Sequence, residues 1–330
     1  MQKNYGLKIL SLGASLPKKV VTNHDLEKLF DTSDEWIFSR TGIKERRVLD
    51  KDESGLTLSI AAAKEALEKA SVSPGEIDLV IVATCTPDKF YPSMACMLQG
   101  AIGAKNAVAF DLSAACSGFV FGLITAAQYI YNGTFKTVLL IGVDVHSRFI
   151  DWSERNVSVL FGDGAGAVIL KGTLARDDEL LGYEMFSRSD VNFDLCLDNK
   201  NVLFGEFKKT IDPNFVKMNG KAIYQFACEE VPNTINLLLD KINLKASDID
   251  YFFLHQANKR IIDSVAKKLN LNESQIISNI KNVGNTSSAS IPLVMSYALD
   301  SKLLKSPSRI MIVGFGAGLT WGSAVINWNI

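Results

Sequence analysis

Cys116 stands in Asp111-Leu112-Ser113-Ala114-Ala115-Cys116-Ser117-Gly118-Phe119, after an apolar run from Ala107 to Phe110 that reads as a strand and before one from Phe119 to Tyr131 that reads as a helix. At such a turn the unpaired N–H groups and macrodipole of a helix N-terminus favour the thiolate, and a thiolate is a nucleophile. A small buried hydrophobe in an alanine-rich element is the other reading of the same residue. The chain holds three histidines, His24, His146 and His255. His24, between Asn23 and Asp25, reads as a surface residue at a helix start. His255 follows the apolar run Tyr251-Phe252-Phe253-Leu254, which puts an ionisable ring at the C-terminal end of a strand, where open α/β sheets hold ligands. A ring merely satisfied at the rim of a sheet fits that position too. Asn285 lies in Val283-Gly284-Asn285-Thr286-Ser287-Ser288-Ala289-Ser290, a loop of small polar residues entering an apolar helix from Ile291 to Leu299. Helix capping alone could account for it.

The elements that must position these residues repeat. Ser73 to Val82 matches Lys245 to Leu254, each a helix end, a turn and a buried strand, and the shift of about 170 positions is the kind of internal period that decides a fold. Val138 to Gly142 matches Ile310 to Gly314 at the same offset. Each half closes on a glycine-rich turn into a strand, Phe161 to Gly166 and Phe315 to Gly318. Helical patterns run from Leu58 to Ala70 and from Ala222 to Leu239, where Pro232 would kink or interrupt the second. Alternating strands and helices imply an α/β fold with largely parallel sheets. The expected halves are 1–174, carrying Cys116, and 175–330, carrying His255 and Asn285. The offset from the Cys116 turn to Asn285 matches the duplication to within a few residues, so cysteine, histidine and asparagine should converge where the halves meet. Phe186 to Asp212 reads as an irregular insertion.

Composition narrows the function classes. With 330 residues and 47% hydrophobic content the chain can build a sizeable core. Its 35 Lys plus Arg against 36 Asp plus Glu argue against a nucleic-acid or anionic-membrane binder. Five cysteines, Cys85, Cys96, Cys116, Cys196 and Cys228, are odd in number and lack metal-ligand spacing, which points to free thiols in a reducing cytoplasm and no metal. Met1 to Leu12 lacks the long apolar stretch of a signal peptide, and no run approaches the roughly eighteen apolar residues of a membrane span.

Ser113 to Phe119, Phe161 to Gly166, His255 to Asn258, Gly284 to Pro292 and Gly316-Ala317-Gly318-Leu319-Thr320-Trp321-Gly322 together resemble β-ketoacyl-acyl-carrier-protein synthase III, the initiating condensing family of bacterial fatty acid synthesis. Thr32 to Ile37, followed by Arg40-Thr41-Gly42-Ile43, adds to the resemblance, which runs nearly end to end. It implies a thiolase-like, internally duplicated α/β fold with a layered αβαβα core. It implies that Cys116 attacks an acyl-coenzyme A, that the backbone N–H groups of Cys116 and Ala317 form the oxyanion hole, and that His255 and Asn285 stabilise the enolate left when malonyl-acyl-carrier protein loses carbon dioxide. Trp36, Arg40, Arg155, Gly220 and Asn258 would hold coenzyme A, which is substrate rather than cofactor; no metal or redox cofactor is implied. Arg260, Lys267 and Lys268 share one helical face that could meet the acidic carrier protein, although Gln225 stands where relatives often carry a base. Tyr91 matches a position that shapes the acyl pocket across a homodimer, with Phe90 beside it.

Three other readings share these residues. A related condensing enzyme or acyltransferase of quinolone or polyketide metabolism would keep the acyl-Cys116 chemistry. A silent acyl-binding subunit would keep only the fold. A Cys-His-Asn hydrolase is disfavoured because papain-like enzymes lack the duplicated α/β pattern.

Overall fold

The computed structural model describes residues 5–198 and 214–330. The strands are β1 (Tyr5–Ser15), β2 (Lys19–Thr22), β3 (Glu45–Val48), β4 (Leu79–Ala83), β5 (Val108–Leu112), β6 (Thr137–Val145), β7 (Asp163–Leu174), β8 (Leu180–Ser187), β9 (Leu195–Leu197), β10 (Val216–Met218), β11 (Tyr251–Leu254), β12 (Ser308–Gly316) and β13 (Thr320–Trp328). The α-helices are α1 (Asn23–Leu26), α2 (Asp34–Thr41), α3 (Gly55–Ala70), α4 (Met94–Ile102), α5 (Gly118–Tyr131), α6 (Arg155–Ser158), α7 (Gly220–Lys241), α8 (Lys259–Lys268), α9 (Ile280–Val283) and α10 (Ser290–Asp300).

One sheet runs β1-β7-β6-β4-β5 and a second runs β8-β13-β12-β11. In the first, β4 is parallel to β6 with Leu79 opposite Val138; in the second, β11 is parallel to β12 with Tyr251 opposite Ile310. Antiparallel β6–β7 and β12–β13 pairs follow in each. Strand alternation then sorts side chains into layers. Leu79, Ile81, Val138 and Leu140 face inward onto α5 and α10, and Ile310 and Ile312 reach the same layer from the second sheet. Val80, Val82, Leu139 and Ile141 face outward onto α3 and α4. Met311, Val313, Phe252 and Leu254 face outward onto α7 and α8. The result is the αβαβα sandwich, and it explains why the central strands are nearly continuous apolar runs: helices cover both faces.

Local sequence sets the helix ends. Ser54 caps α3 in a capping box with Thr57, and Ser71 ends it in the left-handed region at φ 53°. Asn258 caps α8, which buries Ile261, Ile262 and Val265 on one face and leaves its lysines on the other. Pro232 sits inside α7 without ending it, so the suspected interruption is not a boundary. A smaller cluster of Leu26, Ile37, Ile43, Val159, Phe161 and Val216 seats α2 and the β9–β10 ribbon beside the end of the sandwich that carries Cys116. The segment expected to be irregular from Phe186 is therefore partly ordered: β8 ends at Ser187 and β9 pairs with β10, while 199–212 lie outside the described residues. All five cysteines are free, and among the described residues no helix is long and apolar enough to cross a membrane.

Candidate active site

Two matched turns build the site. Cys116 lies on a 3-10 turn, Ala115–Ser117, that leads into α5 at Gly118. Ala115 holds φ at 43°, a region non-glycine residues rarely occupy. Across the interface Ser287 holds φ at 53° at the start of the 3-10 turn Ser287–Ala289, which leads into α10. Glycines let the strands crowd these turns. A Cβ on Gly316 of β12 would lie 2.9 Å from both Cβ and N of Cys116, and one on Gly314 would lie 2.9 Å from Cα of Ser117. The Ser117 hydroxyl donates to the Ala114 carbonyl at 2.7 Å, tying the turn to its own strand exit. Ser287 Oγ donates to Cys116 Sγ at 3.3 Å, so the turns touch at the sulfur.

The electrostatics correct one expectation. Cys116 is 6% exposed, and burial pushes its thiol up to about 12 even though the Ser287 hydrogen bond pulls the other way. The free site thus holds a thiol rather than the thiolate inferred from the helix N-terminus. The reason is desolvation of the sulfur between two turns, to which the Asp144 charge adds.

His255 behaves oppositely in sign but from the same cause: burial, with a smaller contribution from His146, drives its imidazole down to about 3. It is neutral at physiological pH. Its backbone N–H donates to Val313 O at 2.8 Å, and its ring packs edge-on against Phe315 with centroids 5.1 Å apart. Ring atom Nδ1 lies 2.6 Å from Ser290 Oγ. That hydroxyl accepts from the Gln256 N–H and has no other acceptor for its own proton among the described residues, so it donates to Nδ1 and leaves Nε2–H as the free donor. Asn285 is fixed by a bridge to Phe161, with its N–H donating to Leu160 O and its carbonyl accepting from Gly162 N–H, both at 2.9 Å. Its Oδ1 accepts the Ser287 N–H at 2.9 Å, which leaves the Nδ2 amino group as its unused polar end.

Cys116, His255 and Asn285 line one cavity of about 680 Å³, and Trp36, Arg40, Gly220, Asn258 and Arg260 line it too. Arg155 does not. Its guanidinium stacks over the Trp36 ring at 4.6 Å and donates to Asp31 O at 3.1 Å, placing it behind the indole instead. Asn258 also donates to Arg40 O at 3.2 Å, joining α8 to α2 at the rim. Ala317 lines a second cavity of about 390 Å³ that meets the first at Cys116, Phe161 and Leu195. Tyr91 does not line that cavity within a single chain; it is 88% exposed, and the neighbouring Phe90, 81% exposed, lines it instead. On α8, Lys267 and Lys268 are both exposed, but the Lys268 ammonium donates to Cys228 O at 2.8 Å and is tied to α7.

Several contributors escaped the sequence reading. Asp144 is fully buried in apolar β6 and accepts from the N–H groups of Cys85 at 2.9 Å and Ser288 at 3.0 Å, joining the chain after β4 to the Ser287–Ala289 turn. Burial opposes its charge, but His146 and these donors outweigh that and keep the carboxyl below its usual range. An acid inside Val138 to Val145 was the available signal. Arg46 is fully buried and donates to Asn23 Oδ1 at 2.9 Å and Val159 O at 2.8 Å, bracing the chain behind Gly162 and Gly284. Nothing in its basic surroundings, Lys44-Glu45-Arg46-Arg47, marked it as interior.

Known proteins resemble this chain in sequence and in fold. Residues 110–189 match the family model for 3-oxoacyl-[acyl-carrier-protein] synthase III, and residues 239–328 match the model for its C-terminal part. A β-ketoacyl-[acyl-carrier-protein] synthase III of Trichodesmium erythraeum is 44% identical, with 99% of each chain covered, and one of Acaryochloris marina is 47% identical, with 98% of each covered. The crystal structure of 3-oxoacyl-[acyl-carrier-protein] synthase III from Aquifex aeolicus superposes with a TM-score of 0.90 at 41% identity, covering 98% of this chain and 100% of that one. Fold, buried cysteine and near-complete alignment agree, and the chain belongs to the 3-oxoacyl-[acyl-carrier-protein] synthase III family of condensing acyltransferases.

Proposed function

We propose that Cys116, His255 and Asn285 carry out the family's decarboxylative condensation in this chain, starting fatty acid synthesis from a short acyl-coenzyme A. The observation that carries the reading is their meeting in one cavity with His255 neutral and its Nε2–H free. Cys116 Sγ attacks the thioester carbonyl while its proton passes to the departing coenzyme A sulfur, giving acyl-Cys116 and free thiol. The N–H groups of Cys116 and Ala317 hold the tetrahedral oxyanion. Malonyl-acyl-carrier protein then enters. Its C–C bond to the carboxylate breaks, carbon dioxide leaves, and His255 Nε2–H with Asn285 Nδ2–H stabilise the enolate oxygen. Neutral donors suit this step because they do not form an ion pair with the carboxylate that must leave. The enolate carbon attacks acyl-Cys116, expels the sulfur, which regains a proton, and yields β-ketoacyl-carrier protein.

Trp36, Arg40, Gly220 and Asn258 form the entry for coenzyme A and pantetheine, with Arg155 supporting Trp36 from behind. Arg260 and Lys267 receive the carrier protein, and Lys268 contributes less because its ammonium is already engaged. Exposed Phe90 and Tyr91 form part of a homodimer contact. Residues 1–174 and 175–330 are two copies of one ancestral unit, a reading supported by the matching strand orders. Five free thiols favour a cytoplasmic location.

Intact-protein mass spectrometry and carbon dioxide release test the assignment together. An acyl-coenzyme A should add its acyl mass to the wild type and not to Cys116→Ala. His255→Ala and Asn285→Ala should still be acylated yet lose release of carbon dioxide from malonyl-carrier protein. Acylation persisting in Cys116→Ala, or full decarboxylation in both other variants, would overturn the roles.

A further inference from the structure

The second cavity, which shares Cys116 with the first, has mostly apolar walls, among them Phe149, Leu197 and Val216, with a few polar groups set into them. Cys85, His146, Cys196 and Asn214 line it together with Phe161 and Ala317. His146 is 6% exposed, and neither ring nitrogen has a hydrogen-bond partner among the described residues. The ring packs at a tilt against Phe161, with centroids 4.6 Å apart and planes at 42°. The Asn214 Oδ1 atom on the same wall is also buried without a partner. Buried polar atoms are almost always satisfied, so unpartnered ones on two residues that line one chamber point to a ligand that completes them.

The chemistry of that ligand follows from what surrounds the ring. Burial lowers the His146 pKa against the pull of Asp144 and Asp163, so the imidazole is neutral and offers one donor and one acceptor. A cation is disfavoured. Cys85, Asp144 and His146 do lie within 4.8 Å of one another, but the Asp144 oxygens already accept from the Cys85 N–H, the Thr86 hydroxyl and the Ser288 N–H. An ionised carboxylate, which only accepts, would leave the Asn214 amide oxygen without a donor. A hydroxyl, which both donates and accepts, matches a neutral imidazole and an amide oxygen.

We propose that this chamber takes the acyl chain of the primer and that His146 selects a short chain bearing a hydroxyl group, an inference that rests on acyl transfer to Cys116 as described above. The thioester carbon sits at Cys116 and the chain runs past Cys85 toward His146 and Asn214. A plain alkyl chain leaves these buried polar atoms unpaired, and a site built to hydrogen-bond a hydroxyl rejects an analogue that lacks it.

Competition between coenzyme A thioesters tests this. Wild-type enzyme and His146→Leu are each offered equimolar butyryl-, 3-hydroxybutyryl- and 4-hydroxybutyryl-coenzyme A, and the acyl masses on Cys116 are read early in the reaction. The wild type should take one hydroxylated group over butyryl by about tenfold, and His146→Leu should prefer butyryl. Each ratio is taken within one sample, so any loss of folded variant cancels. A wild-type preference for butyryl, or the same ratio in both proteins, overturns the inference while leaving acyl transfer intact. No acyl mass on Cys116 from any of the three overturns the underlying functional reading as well.

Discussion

Gly316→Ala is the most exacting perturbation of the nucleophile's position. The added methyl would stand 2.9 Å from Cys116 Cβ and from Cys116 N, two atoms that cannot rotate away as a flexible side-chain end would. Carbon atoms settle about 3.5 Å apart, so the Cys116 turn or the end of β12 must retreat by about half an ångström. The turn has little freedom to do so, since Ala115 is already at φ 43° and Ser117 is bonded to Ala114 O and to the Thr320 hydroxyl. Overpacking of this kind costs about 1–3 kcal/mol, and displacement of an aligned reacting atom approaching 1 Å can slow chemistry by about 100-fold. We expect Gly316→Ala to fold with a thermal midpoint lowered by about 2–6 °C and to acquire an acyl group from acyl-coenzyme A at least about tenfold more slowly. Gly314→Ala presses on Ser117 instead and should destabilise comparably while slowing acylation less. Thermal unfolding and time-resolved intact mass measure the two quantities. Wild-type acylation by Gly316→Ala would refute the claim that this glycine's close approach sets the sulfur.

Acid should destabilise the fold through its buried histidines. Between about pH 6.5 and His255's value of about 3, the unfolded chain binds a proton that the folded ring refuses, so stability falls as pH drops through that window, by at most about 1.4 kcal/mol per unit. His146 acts in the same direction, and denaturant midpoints at pH 7 and 5.5 should converge in His255→Leu relative to wild type; an unchanged slope would count against the neutral ring. Trp36→Ala removes the indole on which Arg155 stacks, and should raise KM for acyl-coenzyme A about fivefold or more with kcat nearly kept; steady-state kinetics showing a kcat loss alone would exclude a binding role. Lys267→Glu should lower kcat/KM for malonyl-carrier protein about three- to tenfold at low salt and less at high salt, whereas Lys268→Ala, whose ammonium is held by Cys228 O, should do less. Equal effects of the two, or no salt dependence, would displace the docking face.

Residue type and order alone determined the broad architecture and the family. Apolar runs such as Leu79 to Ala83 and Ile310 to Gly314 have to be strands covered on both faces, and Leu58 to Ala70 carries helical spacing whose caps, Ser54 and Ser71, are local. Backbone sterics and periodicity act over a few residues, so they are written in short windows. Cys116, His255 and Asn285 were legible as candidates because each sits at an element boundary that its own neighbours define. The partners that set their chemistry were not. Ser290 orients His255 from α10, Asp144 ties Cys85 to Ser288, and Gly316 presses on Cys116 from β12, all across large separations in the chain. The sign of the Cys116 shift was misread for the same reason: a helix N-terminus is visible in sequence, whereas desolvation sums over every atom that excludes water. Tertiary structure likewise decided that Arg46 is interior, that Arg155 stands behind Trp36, and that His146, Cys85 and Asn214 share a second chamber that reaches the nucleophile. Burial and cavity shape are properties of the assembled layers, and no local window of sequence contains them.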